Sequence, residues 1–297
     1  MFIGIALPPL AALLRPILPE AVAGLLFLAM LRMEWRNLAE HFRRPAPVLL
    51  GLGWLLAGSP IAMWLSMTAL RLPEGIAGAL VLMAAAPPIM SAPALAPLLG
   101  LDAGLSLILV GLATLLAPLT VPPAAASLTG AALEIDLLAF TVRMALLIFG
   151  PLAAATLVRA LAGDHRVAGA ASTVDAASVL LLVSFAIAVM DGVGPLLLER
   201  PGFVAAMIAG SFAANLALQA VGSAIFGCLG QRQALTLGFL GGNRNMAVLL
   251  AALPPMTDRN TLLWFALAQF PIFTLPALLT RPYGWLLRGD PRSSGQL

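Results

Sequence analysis

The sequence predicts an all-α polytopic membrane protein. Hydrophobic residues make up 61% of its 297 residues and charged residues only 10%, and the mean hydropathy is +1.01. Such a chain cannot cover itself with an ordinary water-facing surface. Apolar runs recur until residue 287, and most of them approach the roughly 20 residues that a helix needs to cross the hydrocarbon core. A bundle of membrane-spanning helices follows from these observations.

The chain divides into ten candidate spans at its charged and Pro/Gly-rich junctions. The first is the weakest, because Pro8-Pro9 and Arg15 leave it short, and we expect it to be tilted or peripheral. Residues 2–15, 18–33, 46–68, 74–98, 103–126, 137–160, 174–194, 202–228, 233–253 and 261–286 form the predicted spans.

Arginine placement provides a test of this count, because cytoplasmic loops carry the excess of positive charge. Ten spans leave one side with twice as many arginines as the other, and Arg244 within the membrane. We therefore expect both termini in the cytoplasm and the chain in the cell (inner) membrane. The larger group contains Arg32, Arg36, Arg43, Arg44, Arg159, Arg166, Arg232, Arg281, Arg288 and Arg292, and the smaller group Arg15, Arg71, Arg143, Arg200 and Arg259.

A short internal repeat relates the two halves of the chain. Met33-Glu34 is followed by Arg44-Pro45, and Met190-Asp191 by Arg200-Pro201, at an offset of about 156 residues. Five spans per half is an odd number, so the halves have opposite orientations, as in secondary transporters built from inverted repeats. We predict a first repeat over residues 1–130, a second over 131–288 and a polar tail over 289–297.

A polar interruption lies in the ninth predicted span, at Gly241-Gly242-Asn243-Arg244-Asn245. Each glycine lowers helix stability by about 1 kcal/mol relative to alanine, and a guanidinium at the bilayer centre costs roughly 2.5 to 3.5 kcal/mol. Irregular backbone at membrane depth is tolerated only inside protein or beside a water-filled cavity. The three polar residues are therefore expected to face inward.

A second interruption lies at the corresponding place of the first half, in the stretch APPIMSAP at residues 86–93. Its prolines remove helix donors and free carbonyls. Half-helix ends near the midplane suit a small charged substrate, and packing kinks are the alternative explanation. We predict that the fourth and ninth helices are each broken near the midplane.

At these residues the sequence resembles the bile acid:sodium symporter family. Its members have ten helices, or nine in some, as two inverted repeats with crossed, broken fourth and ninth helices. The resemblance covers nearly the whole chain and implies a core of spans 3 to 5 and 8 to 10, a panel of the other spans, and a substrate cavity lined by the tenth helix near Gln269. It rests on LRMEW at 31–35 with Arg44-Pro45, on residues 86–93, on LDAGLSLILVGLATLLAPLTVP at 101–122 and on residues 241–253.

The resemblance also implies two sodium sites beside the crossing, but most of their side-chain ligands are missing. Ala92-Pro93 replaces a Ser-Asn pair, with Ser91 one residue earlier, while Ser106 keeps the serine of the next helix and Asn243 replaces a glutamine. The candidate cation ligands are therefore Ser91, Ser106 and Asn243, no cofactor is expected, and sodium coupling is altered or absent. Other ligand positions hold the apolar residues Leu55, Val110 and Phe239.

Arg244 is an addition to the family pattern. Its guanidinium either takes over the positive charge of bound sodium or pairs directly with an anionic substrate, because its planar fork suits carboxylate or phosphate. The structural alternative is a guanidinium that binds carbonyls freed by the interruptions. Asp175 is a candidate counter-ion or proton carrier, or a cap of the seventh span. The candidate substrate-binding residues are Met90, Ser91, Asn243, Arg244, Asn245 and Gln269.

Together these patterns favour a secondary transporter that moves a small organic anion by alternating access. The alternative is a non-transporting membrane sensor or binding protein on the same scaffold. The sequence has no phosphate loop or HExxH motif, and Cys228 is its single cysteine, so we expect neither catalysis nor a metal site. The expected partners are a small anionic substrate and the lipid bilayer, without nucleic acid, and the chain is expected to be a monomer or weak homo-oligomer.

Overall fold

The computed structural model describes residues 1–33, 45–129, 136–254 and 257–288. Within these ranges the regular structure is helical, and β-pairing is limited to one antiparallel bridge between Pro88 and Arg244. Three predicted features lie outside the described residues, namely most of the first repeat signal (34–44), the boundary at residues 130 and 131, and the polar tail.

Seven helices or helix runs of the described part are long and apolar enough to cross a membrane, which establishes a multi-pass, all-α membrane protein. Two further apolar segments, 74–99 and 231–252, are interrupted. The seven runs are Pro8–Arg32, Pro45–Leu70, Ala103–Leu128, Leu137–Ala162, Ala171–Glu199, Pro201–Ile225 and Arg259–Arg288.

The helices of the first half follow the predicted spans closely. Prolines begin several of them, because the missing N–H of a first-turn proline costs no hydrogen bond. Their bounds are Phe2–Ala6, Pro8–Leu14, Leu18–Arg32, Pro45–Gly53, Ser59–Leu70, Glu74–Ala85, Ala92–Leu95 and Ala103–Thr129, with a π-helical turn at Trp54–Gly58 and 3₁₀ turns at Arg15–Ile17 and Pro97–Leu99.

Helices of the second half also keep the predicted positions. Asp136 and Asp258 cap two of them through their carboxylates, which satisfies N–H groups that the first helical turn leaves free. Their bounds are Leu137–Ala162, Asp164–Gly169, Ala171–Ala188, Val193–Glu199, Pro201–Ile225, Gln231–Gly242, Met246–Ala252, Arg259–Leu267 and Gln269–Arg288, with a 3₁₀ turn at Gly227–Leu229.

The helices form two packing groups, which contact each other where Leu137–Ala162 packs against Ala103–Thr129. In the first, Leu18–Arg32 packs against Leu137–Ala162 and Ala171–Ala188. In the second, Glu74–Ala85 packs against Ala103–Thr129 and Arg259–Leu267, and Pro201–Ile225 packs against Gln231–Gly242.

Glycines allow the closest of these helix contacts. A Cβ on Gly242 would lie 2.5 Å from the backbone oxygen of Asn215, and a Cβ on Gly238 would overlap Ser223 Oγ and the backbone oxygen of Gln219. Small residues at such positions let membrane helices approach backbone to backbone. This contact fixes the helix that leads into Arg244.

The N-terminal segment packs against the helix pair 171–199. A Cβ on Gly4 would lie 2.5 Å from the Ile187 oxygen, the Ile5 oxygen lies close to Gly194, and Arg15 pairs with Asp191. Gly4, Ile5 and Arg15 therefore contact residues 187–194.

Candidate functional site

The two interrupted segments pair directly with each other. The Ile89 N–H donates to the Asn243 oxygen at 2.9 Å, and the Asn245 N–H donates to the Pro87 oxygen at 2.7 Å, on either side of the bridge between Pro88 and Arg244. Pro88, between these two bonds, has no N–H and therefore needs no acceptor. Because hydrocarbon offers no hydrogen-bond partners, each interruption supplies the backbone partners that the other requires.

The Arg244 side chain fills the junction and is fully buried. Its Nε donates to the Gly241 oxygen at 2.7 Å, and its Nη1 donates to the oxygens of Leu55 at 3.0 Å and Ala86 at 2.8 Å. Its Nη2 donates to Ser59 Oγ at 2.5 Å. Protein acceptors therefore take four of the five guanidinium protons.

Each of the three carbonyl acceptors is freed by a local sequence feature. Leu55 lies in a π-helical turn, where each carbonyl accepts from the N–H five residues later. For Leu55 that residue is Pro60, which has no N–H. The helix Glu74–Ala85 ends before Ala86, so its carbonyl has no helical donor. The Asn245 N–H, which would bind the Gly241 carbonyl in a continuous helix, donates to the Pro87 oxygen instead, and the Gly241 carbonyl accepts from the side chain of Arg244.

The positive charge of Arg244 is held by neutral oxygens. Among the described residues no carboxylate contacts it, and the ion pairs there are Arg15 with Asp191, Arg32 with Asp175 and Arg159 with Asp164. Unwound carbonyls surround a coupling cation in the same manner at the broken helices of transporters. The guanidinium therefore occupies a carbonyl cage of the kind that suits a hard cation.

A cavity of about 510 Å³ lies beside this junction, and we call it the Arg32 cavity. Arg32 and Asp175, paired at 2.6 Å with side chains 44% and 64% exposed, form its surface end. The predicted cap and counter-ion roles of Asp175 are wrong, because its carboxylate accepts from Arg32 and the helix cap is Ala170. Five of the six candidate substrate residues line this cavity, namely Met90, Ser91, Arg244, Asn245 and Gln269.

Polar groups on the Arg32 cavity differ in how they are satisfied. Asn245 accepts from the Val248 N–H and caps the short helix Met246–Ala252. Gln269 is 3% exposed, and its Nε2 has no partner among the described residues. Most of the remaining lining is apolar. The unpaired amide is the group most available to bind a polar ligand atom.

The residues considered for sodium are not gathered on this cavity. Ser106 and Asn243 are fully buried and do not line it, and Ser106 Oγ and Asn243 Oδ1 have no partner in the described part of the chain. Leu55, Val110 and Phe239 are buried with apolar side chains. The side-chain oxygens that remain cannot surround a sodium ion without further ligands.

A second cavity of about 950 Å³ lies at the other end of the same helices, and we call it the Arg15 cavity. Arg15 and Asp191 pair there at 2.7 Å. Two further arginines, Arg143 and Arg259, also line it. Sequence reasoning assigned all three arginines to one side of the membrane but gave no indication that they share a cavity.

A thin septum separates the two cavities. Four segments pass from one lining to the other within three residues, which is about 4.5 Å along a helix axis. Ala21, Val248, Leu249, Leu267 and Ala268 lie in this layer and are buried. The four transitions are Pro19 to Val22, Ala188 to Phe185, Leu250 to Ala247 and Ala266 to Gln269.

The fold and this site define a multi-pass membrane protein with a polar junction between two opposed cavities. The model of the sodium bile acid symporter family matches residues 21–200, more than half of the chain, and the chain belongs to that family. The match ends before the Arg244 interruption. No curated protein matches the chain significantly.

The structure confirms that Arg244 binds carbonyls freed by the interruptions, at Gly241 and Ala86, but sequence reasoning missed its acceptors Leu55 and Ser59. Ser59 stands in the stretch Gly58-Ser59-Pro60, within a predicted span, and its Oγ also contacts the oxygens of Leu55 and Ala84. A serine between glycine and proline in an apolar run signals an irregular turn. It does not reveal which distant side chain uses that turn.

Proposed function

We propose that this protein is a secondary transporter that moves a small organic anion by alternating access. Membership of the sodium bile acid symporter family points to a membrane transporter. The single observation that best supports the proposal is the pair of cavities at opposite ends of the same helices, divided by one helical turn. A substrate would need only a small relative movement of the two packing groups to change sides.

The proposed architecture is an inverted repeat in which residues 74–99 and 231–252 are the broken fourth and ninth helices. The bridge between Pro88 and Arg244 supports this arrangement. We propose ten membrane segments, of which the first, residues 2–15, is tilted or peripheral, with Gly4, Ile5 and Arg15 in contact with residues 187–194. The arginine excess then puts the Arg32 cavity and both termini in the cytoplasm, in the cell (inner) membrane.

Arg244 is proposed to supply the positive charge that bound sodium supplies in the family. Its support is the cage of three carbonyls and one hydroxyl around the buried guanidinium. A covalently attached cation cannot cross the membrane with the substrate. Transport would therefore proceed without a sodium gradient, as exchange, facilitated diffusion or proton-coupled uptake.

Direct pairing of Arg244 with the substrate has less support. Four guanidinium protons are already committed to the protein, so a substrate would have to displace an existing acceptor. We propose instead that Ser91, Asn245, Met90 and the unpaired amide of Gln269 contact the substrate. Arg244 then acts through its electrostatic field, which falls off slowly in a low-dielectric interior.

The first experiment tests sodium coupling in proteoliposomes. The organic anion that most raises the melting temperature of the purified protein is loaded inside, and its labelled form is added outside in sodium or in choline medium. Saturable counterflow of equal rate in both media is expected. A tenfold or greater stimulation by sodium would contradict the tethered-cation proposal.

The rival is a membrane sensor that binds the anion without moving it. Its specific support is that the Arg244 side chain hydrogen-bonds to three segments: one with Leu55 and Ser59, one with Ala86, and one with Gly241. These bonds would restrain movement at the junction. The counterflow assay separates the two functions. Ligand-induced stabilisation without any counterflow would favour the sensor.

A further inference from the structure

The Arg15 cavity carries guanidinium groups that the protein leaves unpaired. Arg143 and Arg259 line this cavity and are exposed. Within the part of the chain that the structure describes, neither side chain makes a hydrogen bond or an ion pair. Both therefore keep all of their donors available to a ligand.

The carboxylate found on this cavity is already engaged. Among the described residues of the lining, only Asp191 carries a carboxylate, and it binds Arg15 at 2.7 Å. Asp258 precedes Arg259 but lies off the lining, where its Oδ2 accepts from the Thr261 N–H at 3.0 Å. Three arginines and one aspartate give the described residues of the lining a formal charge of +2.

The remaining lining provides an apolar surface beside this charge. Leu196, Leu250, Leu262 and Leu263 contribute to it. A ligand with an oxyanion group and an apolar body could satisfy both parts, because the planar guanidinium fork binds carboxylate, sulfonate or phosphate oxygens in pairs. Inorganic anions would use only the arginines.

We propose that the Arg15 cavity is a second anion-binding site, in which Arg143 and Arg259 hold the oxyanion group of an amphipathic organic anion. The site loads or releases the anion on the side of the membrane opposite to the Arg32 cavity. This inference rests on the proposed transport of an organic anion. The septum, with two residues between the linings on each of four segments, places the two sites in succession along one path.

The test uses naphthalene-2-sulfonate, a fluorescent aromatic anion that keeps its charge at every working pH, and naphthalene-2-sulfonamide as its uncharged counterpart. Binding to the full-length wild-type protein and to the double variant R143Q/R259Q is measured in a zwitterionic detergent. We expect the double variant to lose at least tenfold in affinity for the sulfonate, with unchanged, weaker binding of the sulfonamide. Raising the salt concentration should weaken sulfonate binding to the wild type alone.

The matched control is R71Q/R200Q. Both arginines fall in the same predicted arginine group as Arg143 and Arg259, but they do not line the Arg15 cavity, so this variant removes the same charge from the same side. Its affinity for the sulfonate should stay within twofold of the wild type. Equal loss in both double variants, equal affinity of wild type and R143Q/R259Q, or no charge-dependent binding to the wild type would each overturn the proposal.

A lipid headgroup offers the same oxyanion chemistry and is tested separately. Sulfonate binding is compared in nanodiscs of phosphatidylcholine and of phosphatidylglycerol. Similar affinities support a soluble occupant, whereas loss of binding in phosphatidylglycerol assigns the site to lipid and overturns the proposed occupant. Counterflow distinguishes the two proposals. If the wild type shows counterflow and R143Q/R259Q shows it with the same kinetics, the loading site is refuted but transport is not. If binding depends on the arginines but the wild type shows no counterflow, transport is refuted but the binding site is not.

Discussion

The two cavities of this protein treat positive charge in opposite ways. At the Arg32 cavity, Arg32 is paired with Asp175 and Arg244 is enclosed by protein oxygens, so none of the described arginines on this lining is unpaired. At the Arg15 cavity, Arg143 and Arg259 have no partner in the described part of the chain. Burial explains the enclosure of Arg244, because a buried donor must find a protein acceptor, whereas water can satisfy the exposed guanidinium groups of Arg143 and Arg259. The surface site can attract an anion, and the buried one can organise the junction.

Removal of the enclosed charge should have the largest effect. R244M keeps the length of the side chain but leaves the oxygens of Ala86 and Gly241 without their donor, and the Leu55 oxygen with the 3.3 Å contact from Ser59 Oγ. An unsatisfied buried polar group costs about 1–3 kcal/mol, so we expect the free energy of unfolding in detergent to fall by roughly 3 kcal/mol or more, together with loss of counterflow.

R244K sharpens this test, because lysine retains the charge without the guanidinium fork. Its stability and counterflow should lie between those of wild type and R244M. An R244M variant as stable as the wild type would show that the buried carbonyls do not require the guanidinium as a hydrogen-bond donor. Unchanged ligand affinity in a destabilised R244M variant would reduce Arg244 to a structural role.

The packing that fixes the junction should give the next largest effect. In G242A the new Cβ would meet the Asn215 oxygen and the Gln219 Cγ at 2.5 Å, and overpacking of this kind costs about 1–3 kcal/mol. Thermal unfolding should show the loss. G150A is the matched control, since nothing lies within 4 Å of its Cβ position, and it should be neutral or slightly stabilising.

Q269L tests which neutral group of the Arg32 cavity contacts the ligand. A lost hydrogen bond lowers affinity by about 0.5–1.5 kcal/mol, so we expect a twofold to tenfold weaker affinity for the transported anion in equilibrium binding. Stability should be equal or higher, because the variant removes a buried amide whose Nε2 has no partner among the described residues. Loss of stability with normal affinity would contradict the assignment.

The smallest effect is expected at the exposed end of the Arg32 cavity. Side chains of Arg32 and Asp175 are 44% and 64% exposed, and exposed ion pairs contribute about 0.2–1 kcal/mol. A double-mutant cycle of R32Q and D175N, measured by chemical unfolding, should give a coupling energy in that range that decreases with salt. A coupling above about 2 kcal/mol would mean that this pair is a structural lock rather than a surface contact.

Hydropathy predicted much of the fold. The helices of the structure begin and end close to the predicted spans, and both interruptions lie where proline or glycine weakens a helix, at 86–91 and 243–245. The exception is the N-terminal segment, where two short helices, Phe2–Ala6 and Pro8–Leu14, occupy the single predicted span 2–15. A run of apolar residues cannot distinguish a crossing segment from a peripheral one.

The candidate site was predicted in part. Five of the proposed substrate residues share one cavity, but Asn243 does not line it, and Ser59 was missed. Asp175 pairs with Arg32 rather than Arg244. Pairings between segments more than a hundred residues apart depend on how helices pack, and a single sequence contains no record of them.

The sequence by itself determined three properties of this chain: that it resides in a membrane, at which residues its helices are interrupted, and that one interruption carries a charged residue within an apolar span. These properties are local, because the cost of exposing a polar or irregular segment to hydrocarbon depends on that segment alone. Tertiary structure decided that carbonyls from three segments enclose Arg244 and that three arginines share a cavity at the opposite end. Hydrogen-bond partners and cavity walls come from several helices at once, so only their packing could settle them.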